Sequence, residues 1–230
     1  MSNFLKISFV LVLICCGHFC IAQVELRSEI GFGIGTFNYT GDLVRSYDFR
    51  NSQPAATVFY RSNISKVISM RTSLTGGLLA ASDSNPIDVF AAKRASSFSL
   101  VMLEASAGFE YHFLDWRDTK RPLRFTPYIF AGAAMFIMSG YGTKSAPYSN
   151  VQPAIPFGVG TKYVLNPNWY VSLEFSLRKT FFDYLDNVSD GNVALKNYKY
   201  GNFFDNDNYY FLGFSVTRTL YNIPCARSPY

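Results

Sequence analysis

Beyond residue 22 the chain has no apolar run approaching the roughly 20 residues that a membrane-crossing helix needs. If it spans a membrane, it must do so as strands. Cysteine is almost missing from the same region: Cys15, Cys16 and Cys20 lie before it and only Cys225 after it. That excludes an internal disulfide framework and leaves Cys225 as a free thiol or half of an intermolecular bridge. Histidine is equally sparse, with His112 alone beyond His18. The net charge of +5 is spread along the chain, with no basic cluster interleaved with aromatics, which excludes a nucleic-acid signature. No pattern in the chain calls for a cofactor.

What is present begins with a targeting segment. Lys6 is the only charge before Glu25, an apolar run covers 7–14, and small residues lead to Ala22-Gln23. Residues 1–22 are therefore expected to be a secretory signal. A transmembrane anchor is the competing reading, but the apolar core is too short for it. A lipoprotein signal fits poorly, because the bulky Phe19 directly precedes Cys20.

The remaining chain alternates. Around Asn166-Pro167-Asn168, Ile155, Phe157, Val159, Tyr163 and Leu165 fall on one face, and Val171, Leu173, Phe175 and Leu177 continue that face after the turn. Side chains two apart in a strand point the same way. The opposite face carries Gly158, Gly160, Lys162, Glu174 and Arg178. Eight such strands are expected, over 25–38, 55–61, 67–80, 98–113, 124–139, the two flanking 166–168, and 209–220. The fifth is the ambiguous one, since 128–138 is nearly all apolar and resembles a helix. Pro127, Gly132 and Gly140 favour a strand.

Connections after strands two, four and six are short or charged (62–66, 114–123, 166–168), whereas the others are longer and polar. Short turns at one end and long loops at the other, on strands with one apolar and one charged face, predict an eight-stranded antiparallel β-barrel of the outer membrane. Its turns would be periplasmic and its long loops extracellular, with the barrel over 23–221 and a periplasmic tail over 222–230. Aromatics at 17% suit interfacial girdles among the surrounding outer-membrane lipids. A soluble lipocalin-type barrel is the rival, with its apolar faces turned inward. The glycines and charges of the other faces suit a narrow lumen better.

Three stretches carry a family resemblance. Glu29-Ile30-Gly31-Phe32-Gly33-Ile34-Gly35 runs into Thr36-Phe37-Asn38-Tyr39-Thr40-Gly41-Asp42-Leu43, an Asn-Tyr-x-Gly-Asp turn. Arg178-Lys179-Thr180-Phe181-Phe182-Asp183-Tyr184-Leu185-Asp186-Asn187-Val188-Ser189 is the second. The third is Gly201-Asn202 followed by Asn206-Asp207-Asn208-Tyr209-Tyr210. In composition and order they resemble the PorG component of the type IX secretion system, a small outer-membrane barrel. The resemblance implies a non-enzymatic role beside a periplasmic ring made of a PorK-type lipoprotein and a PorN-type partner. That machine exports proteins across the outer membrane and in some bacteria supports gliding.

Arg27, Glu29, Arg71, Glu104, Glu110, Lys162, Glu174 and Arg178 are expected to face the lumen. Read as function they would line a proton or solute path; read as structure they form an ion-paired plug, which a barrel this narrow favours. His112 could serve a lipid-modifying enzyme, but no Ser-centred motif accompanies it. The acidic segment 183–207 matches no calcium-loop spacing and is expected to be a solvated loop, with no metal. The turn around Trp116, Arg117, Lys120 and Arg121 is expected to be a wet periplasmic turn with an interfacial Trp, and a place for a ring subunit to dock. Cys225, beyond the last strand, is expected to be exposed there and to form a mixed disulfide with such a subunit.

Overall fold

Strict alternation of apolar and polar side chains closes here into a single sheet. The computed structural model describes residues 28–41, 47–82, 97–116, 123–139, 149–181, 185 and 207–220. The strands are β1 Ser28–Thr40, β2 Gln53–Asn63, β3 Ile68–Ser82, β4 Ser97–His112, β5 Phe125–Met138, β6 Val151–Asn166, β7 Trp169–Thr180 and β8 Asn208–Leu220. Each pairs antiparallel with the next, and β1 pairs with β8 to close the barrel. Ser28 lies opposite Leu220, so the wall begins and ends at one rim, here the near rim. That rim also carries the short β2–β3, β4–β5 and β6–β7 connections, and the long connections lie at the far rim.

The barrel is inside out relative to a soluble one. On β1, Ile30, Phe32 and Ile34 face outward, Phe32 with 56% of its surface exposed, while the preceding Glu29 faces inward and retains 1%. The outward belt continues through Val101, Leu103, Ile129, Met135, Leu173 and Phe214, while Glu104, Glu110, Lys162 and Glu174 are buried. Each large apolar side chain left in water forgoes roughly 1.5–3 kcal/mol, so this wall is stable only against hydrocarbon. The protein is an outer-membrane β-barrel, and the exposed apolar belt removes the lipocalin-type alternative.

The lumen departs from the sequence expectation in one respect. Its ionic groups gather in the near half and at the junction, with the buried Asp207 the exception at the far rim. The far half is a packed apolar core that includes Phe37, Leu79, Leu100, Met102, Phe136, Met138 and Phe211. This explains why β5 reads as apolar throughout: Ile129, Met135 and Ile137 meet lipid, while Ala134, Phe136 and Met138 fill the interior. It also extends β1 past its expected end. Tyr39 and Thr40, beyond the expected end at 38, are strand, and Tyr39 enters the core.

Two local features follow from chain chemistry. A Cβ on Gly31 would stand 2.2 Å from the Phe59 ring, so the glycine makes the space that this inward ring occupies. Between β5 and β6 the pairing lapses from Ala131↔Phe157 to Ala134↔Ala154. Pro156, which has no N–H to donate, sits in that gap. Outside the far rim, a single 3-10 turn over Phe49–Asn51 is laid back on the wall. There Tyr47 packs edge-on against Phe175 and Tyr210, and Asn38 Nδ2 donates to the Asp48 carbonyl at 2.5 Å. These rings form part of an interfacial aromatic girdle.

Candidate functional site

The chemistry of the barrel is concentrated in its near half, around Arg61. This guanidinium projects inward from β2 and is fully buried. It donates through Nη1 to Glu29 Oε2 at 2.8 Å and through Nη2 to Glu110 Oε1 at 2.9 Å, while its Nε lies 2.7 Å from Glu110 Oε2. Tyr170 hydrogen-bonds both Arg61 and Glu29. The other oxygen of Glu29 accepts from Asn63 Nδ2 at 2.7 Å, and Asn63 in turn accepts from Ser69 Oγ at 2.7 Å. Glu110 also takes Lys162 Nζ at 2.8 Å and Arg71 Nη1 at 3.4 Å. Arg71 pairs with Glu174, which accepts from Tyr128 as well, at 3.2 Å.

Arg178 and Glu104 meet at 3.2 Å where the ionic half gives way to the apolar one, and Tyr209 donates to Glu104 at 2.6 Å. Aromatic faces cover the cations. The Arg61 and Arg71 guanidinium carbons lie 4.9 and 4.7 Å from the centre of the Phe59 ring, and that of Arg178 lies 5.0 Å from Phe211. Four buried glutamates thus face four buried cations among the described residues. Buried charge is tolerated when it is matched and hydrogen-bonded in this way.

Of the residues expected in the lumen, Glu29, Arg71, Glu104, Glu110, Lys162, Glu174 and Arg178 are brought together here, and Arg27 lies outside the described residues. The sequence reading missed Arg61, the hub, together with Tyr128, Tyr170 and Tyr209. Period two held the signal: Val58 and Tyr60 face outward, which directs Phe59 and Arg61 inward.

Trp116 is not an interfacial residue. Its ring packs over the near mouth, 5.0 Å from Tyr170 and 6.2 Å from His112 between ring centres. The indole turns inward because aromatic partners lie inside the rim. Arg117, Lys120, Arg121 and Cys225, the remaining docking and disulfide candidates, lie outside the described residues.

Asp207 also departs from expectation. It is buried rather than part of a solvated loop, accepting from Tyr39 OH at 2.5 Å and from the Leu185 N–H at 2.9 Å. Thr180 Oγ1 donates to its carbonyl. A Cβ on Gly41 would collide with both Asp207 Oδ1 and Tyr39 OH, so this brace requires glycine there. Asp183, Asp186, Asp190 and Asp205 lie outside the described residues. Among the described residues no three His, Cys, Asp or Glu side chains are placed to hold a metal ion.

The arrangement is chemically a plug. A cavity beside Arg71, Ser73, Ser106 and Arg178 has about 20 Å³, the scale of a single water. Among the described residues, ion-paired side chains occupy the near half and apolar side chains the far half. In planar bilayers the purified barrel is expected to give no stable conductance steps, and large persistent steps would refute the plug.

Residues 5–228 match a family described as a domain of unknown function, DUF6089. The chain belongs to this family. No curated protein matches it by sequence. Among solved structures, this DUF6089 member is similar to neisserial surface protein A, with TM-score 0.52 and 12% identity over 84% of this chain and 97% of that one. It is also similar to the attachment invasion locus protein of Yersinia pestis, with TM-score 0.46 and 12% identity over 86% of this chain and 100% of that one. A third is the outer membrane protein OprG of Pseudomonas aeruginosa, with TM-score 0.45 and 10% identity over 86% and 97%. At such identities the likeness to the neisserial protein is one of fold alone.

Proposed function

We propose that the protein is a non-enzymatic outer-membrane component of the type IX secretion machinery. In this reading it holds or positions a periplasmic ring of a PorK-type lipoprotein and a PorN-type partner, with the near rim on the periplasmic side. The observation that supports it best is the Asp207 brace. Tyr39 and Gly41 come from the first PorG-like stretch, Thr180 and Leu185 from the second, and Asp207 from the third, and all five meet at one point. The likeness therefore lies in residues that make one structural unit, not in scattered identities. The filled lumen adds a physical argument. A barrel whose described lumen is packed with side chains would act through its rims and wall, which is all a scaffold needs.

A second reading is a small barrel whose far-rim loops bind a ligand or surface outside the cell. The same brace favours it, because it gives those loops a fixed base. Affinity capture of the tagged protein from cross-linked native membranes, followed by mass spectrometry, separates the two. A ring component is expected to bring down a lipoprotein and its periplasmic partner, and its deletion to abolish export of secreted cargo. A barrel that elutes alone, with export intact in the deletion strain, would overturn the secretion reading.

A further inference from the structure

Of the charged side chains in the eight strands, only Lys179 on β7 and Arg218 on β8 face outward. Every other strand charge is turned into the lumen. The outer wall otherwise meets hydrocarbon, where a cation is costly unless it reaches the headgroups. Both cations are placed to do so. Arg218 lies opposite Trp169 at the start of β7, and Lys179 stands ten residues further along that strand. At about 3.3 Å per residue and a tilt of about 35–45°, ten residues climb roughly 25 Å along the membrane normal, the height of an apolar band. The two cations therefore mark the two faces of that band, Lys179 at the far rim and Arg218 at the near one.

The level of Arg218 is built across four strands. Ile30 on β1 pairs with both Tyr60 on β2 and Arg218 on β8, and Arg218 pairs with Trp169 on β7. Tyr60, Ile30, Arg218 and Trp169 thus form one outward row, and all four are exposed. Its two aromatic members each carry a polar tip, as side chains at a headgroup boundary do. Tyr60 OH is hydrogen-bonded to Ser28 Oγ at 2.7 Å, two residues nearer the rim than Ile30. The Arg218 guanidinium carbon lies 5.8 Å from the centre of the Trp169 ring. Among the described residues no carboxylate pairs with Arg218, in contrast to Arg61, Arg71, Lys162 and Arg178.

We propose that Arg218 and Trp169 form a seat for the phosphate of an anionic phospholipid in the leaflet at the near rim. A planar guanidinium can give a phosphate two parallel N–H bonds, which an ammonium cannot. A lipid suits the seat better than free phosphate, because the row opens onto the apolar wall. The acyl chains would run over Val216 and Phe32, the next outward side chains towards the far rim. A zwitterionic headgroup brings its own cation to the phosphate, so a headgroup of net negative charge matches this guanidinium. The seat needs only the barrel in its membrane and is independent of the secretion reading.

The test uses the full mature barrel with Trp116→Phe, which leaves Trp169 as the only tryptophan. It is placed in vesicles of phosphatidylcholine and phosphatidylglycerol in equal parts. One lipid or the other carries a spin label near the headgroup end of an acyl chain. Quenching of Trp169 by each label gives the local ratio of the two lipids. Phosphatidylglycerol is expected to be enriched about fivefold, the scale of one cation at an anionic surface. Arg218→Gln is expected to lose that enrichment. Lys179→Gln removes the same charge at the far rim and is expected to keep it. Heat-modifiable gel mobility shows that each variant is folded. Equal quenching by the two lipids in the Trp116→Phe protein overturns the seat. Enrichment that survives Arg218→Gln, or that Lys179→Gln lowers as much, overturns it equally.

Discussion

Arg61→Met is expected to lower the unfolding free energy of the barrel by about 3–5 kcal/mol, measured by urea titration in phospholipid vesicles. Arg61 is the one cation that touches both Glu29 and Glu110 among the contacts described. Without it, Glu29 keeps its hydrogen bonds from Asn63 and Tyr170 but loses its guanidinium, and the matched glutamates and cations of the near half gain a net negative charge. Methionine fills similar space, so the loss reports charge and hydrogen bonding more than volume. Arg61→Lys restores the charge without the planar fork and is expected to fall between the two. A change within about 0.5 kcal/mol for Arg61→Met would mean that the near half is hydrated and the plug is open.

A charge on the outer wall tests the other half of the design. Leu173 lies mid-strand on β7 and faces outward with 53% of its surface exposed. In a soluble protein, Leu173→Arg would be nearly neutral. In a bilayer it is expected to cost about 2–4 kcal/mol, and Leu220→Arg at the near rim about 0–1 kcal/mol, because the penalty falls towards the interface. Equal, small effects at the two positions would place this wall outside hydrocarbon.

The pairing of β6 with β7 shows how much was legible locally. Alternation across Asn166-Pro167-Asn168 identifies two strands, their turn and their faces, and the observed strands end and begin at Asn166 and Trp169. All eight strands were readable in this way, because alternation is imposed residue by residue when one face meets lipid and the other does not. β2 shows where that signal thins. The expected span of 55–61 stopped short of Gln53 and Asn63, since polar ends look like loop when the lumen that receives them is not in view. Arg61 was thereby left at a strand end and its role as hub went unseen.

By itself, the sequence determined the strand count, the inward and outward faces, the inversion of the barrel relative to a soluble one, and seven of the charges that meet in the lumen. These depend on period two and on side-chain polarity, both local properties. Only the tertiary structure decided which charges pair, that the far half is an apolar core, that Trp116 turns inward, and that Asp207 is buried. Each of these depends on contacts between strands far apart in sequence. Glu29 and Tyr170 are 141 residues apart, and Tyr39 and Asp207 are 168 apart. Closure of the sheet brings such residues to one level of a narrow cylinder, and no periodicity along the chain records which level each inward side chain will share.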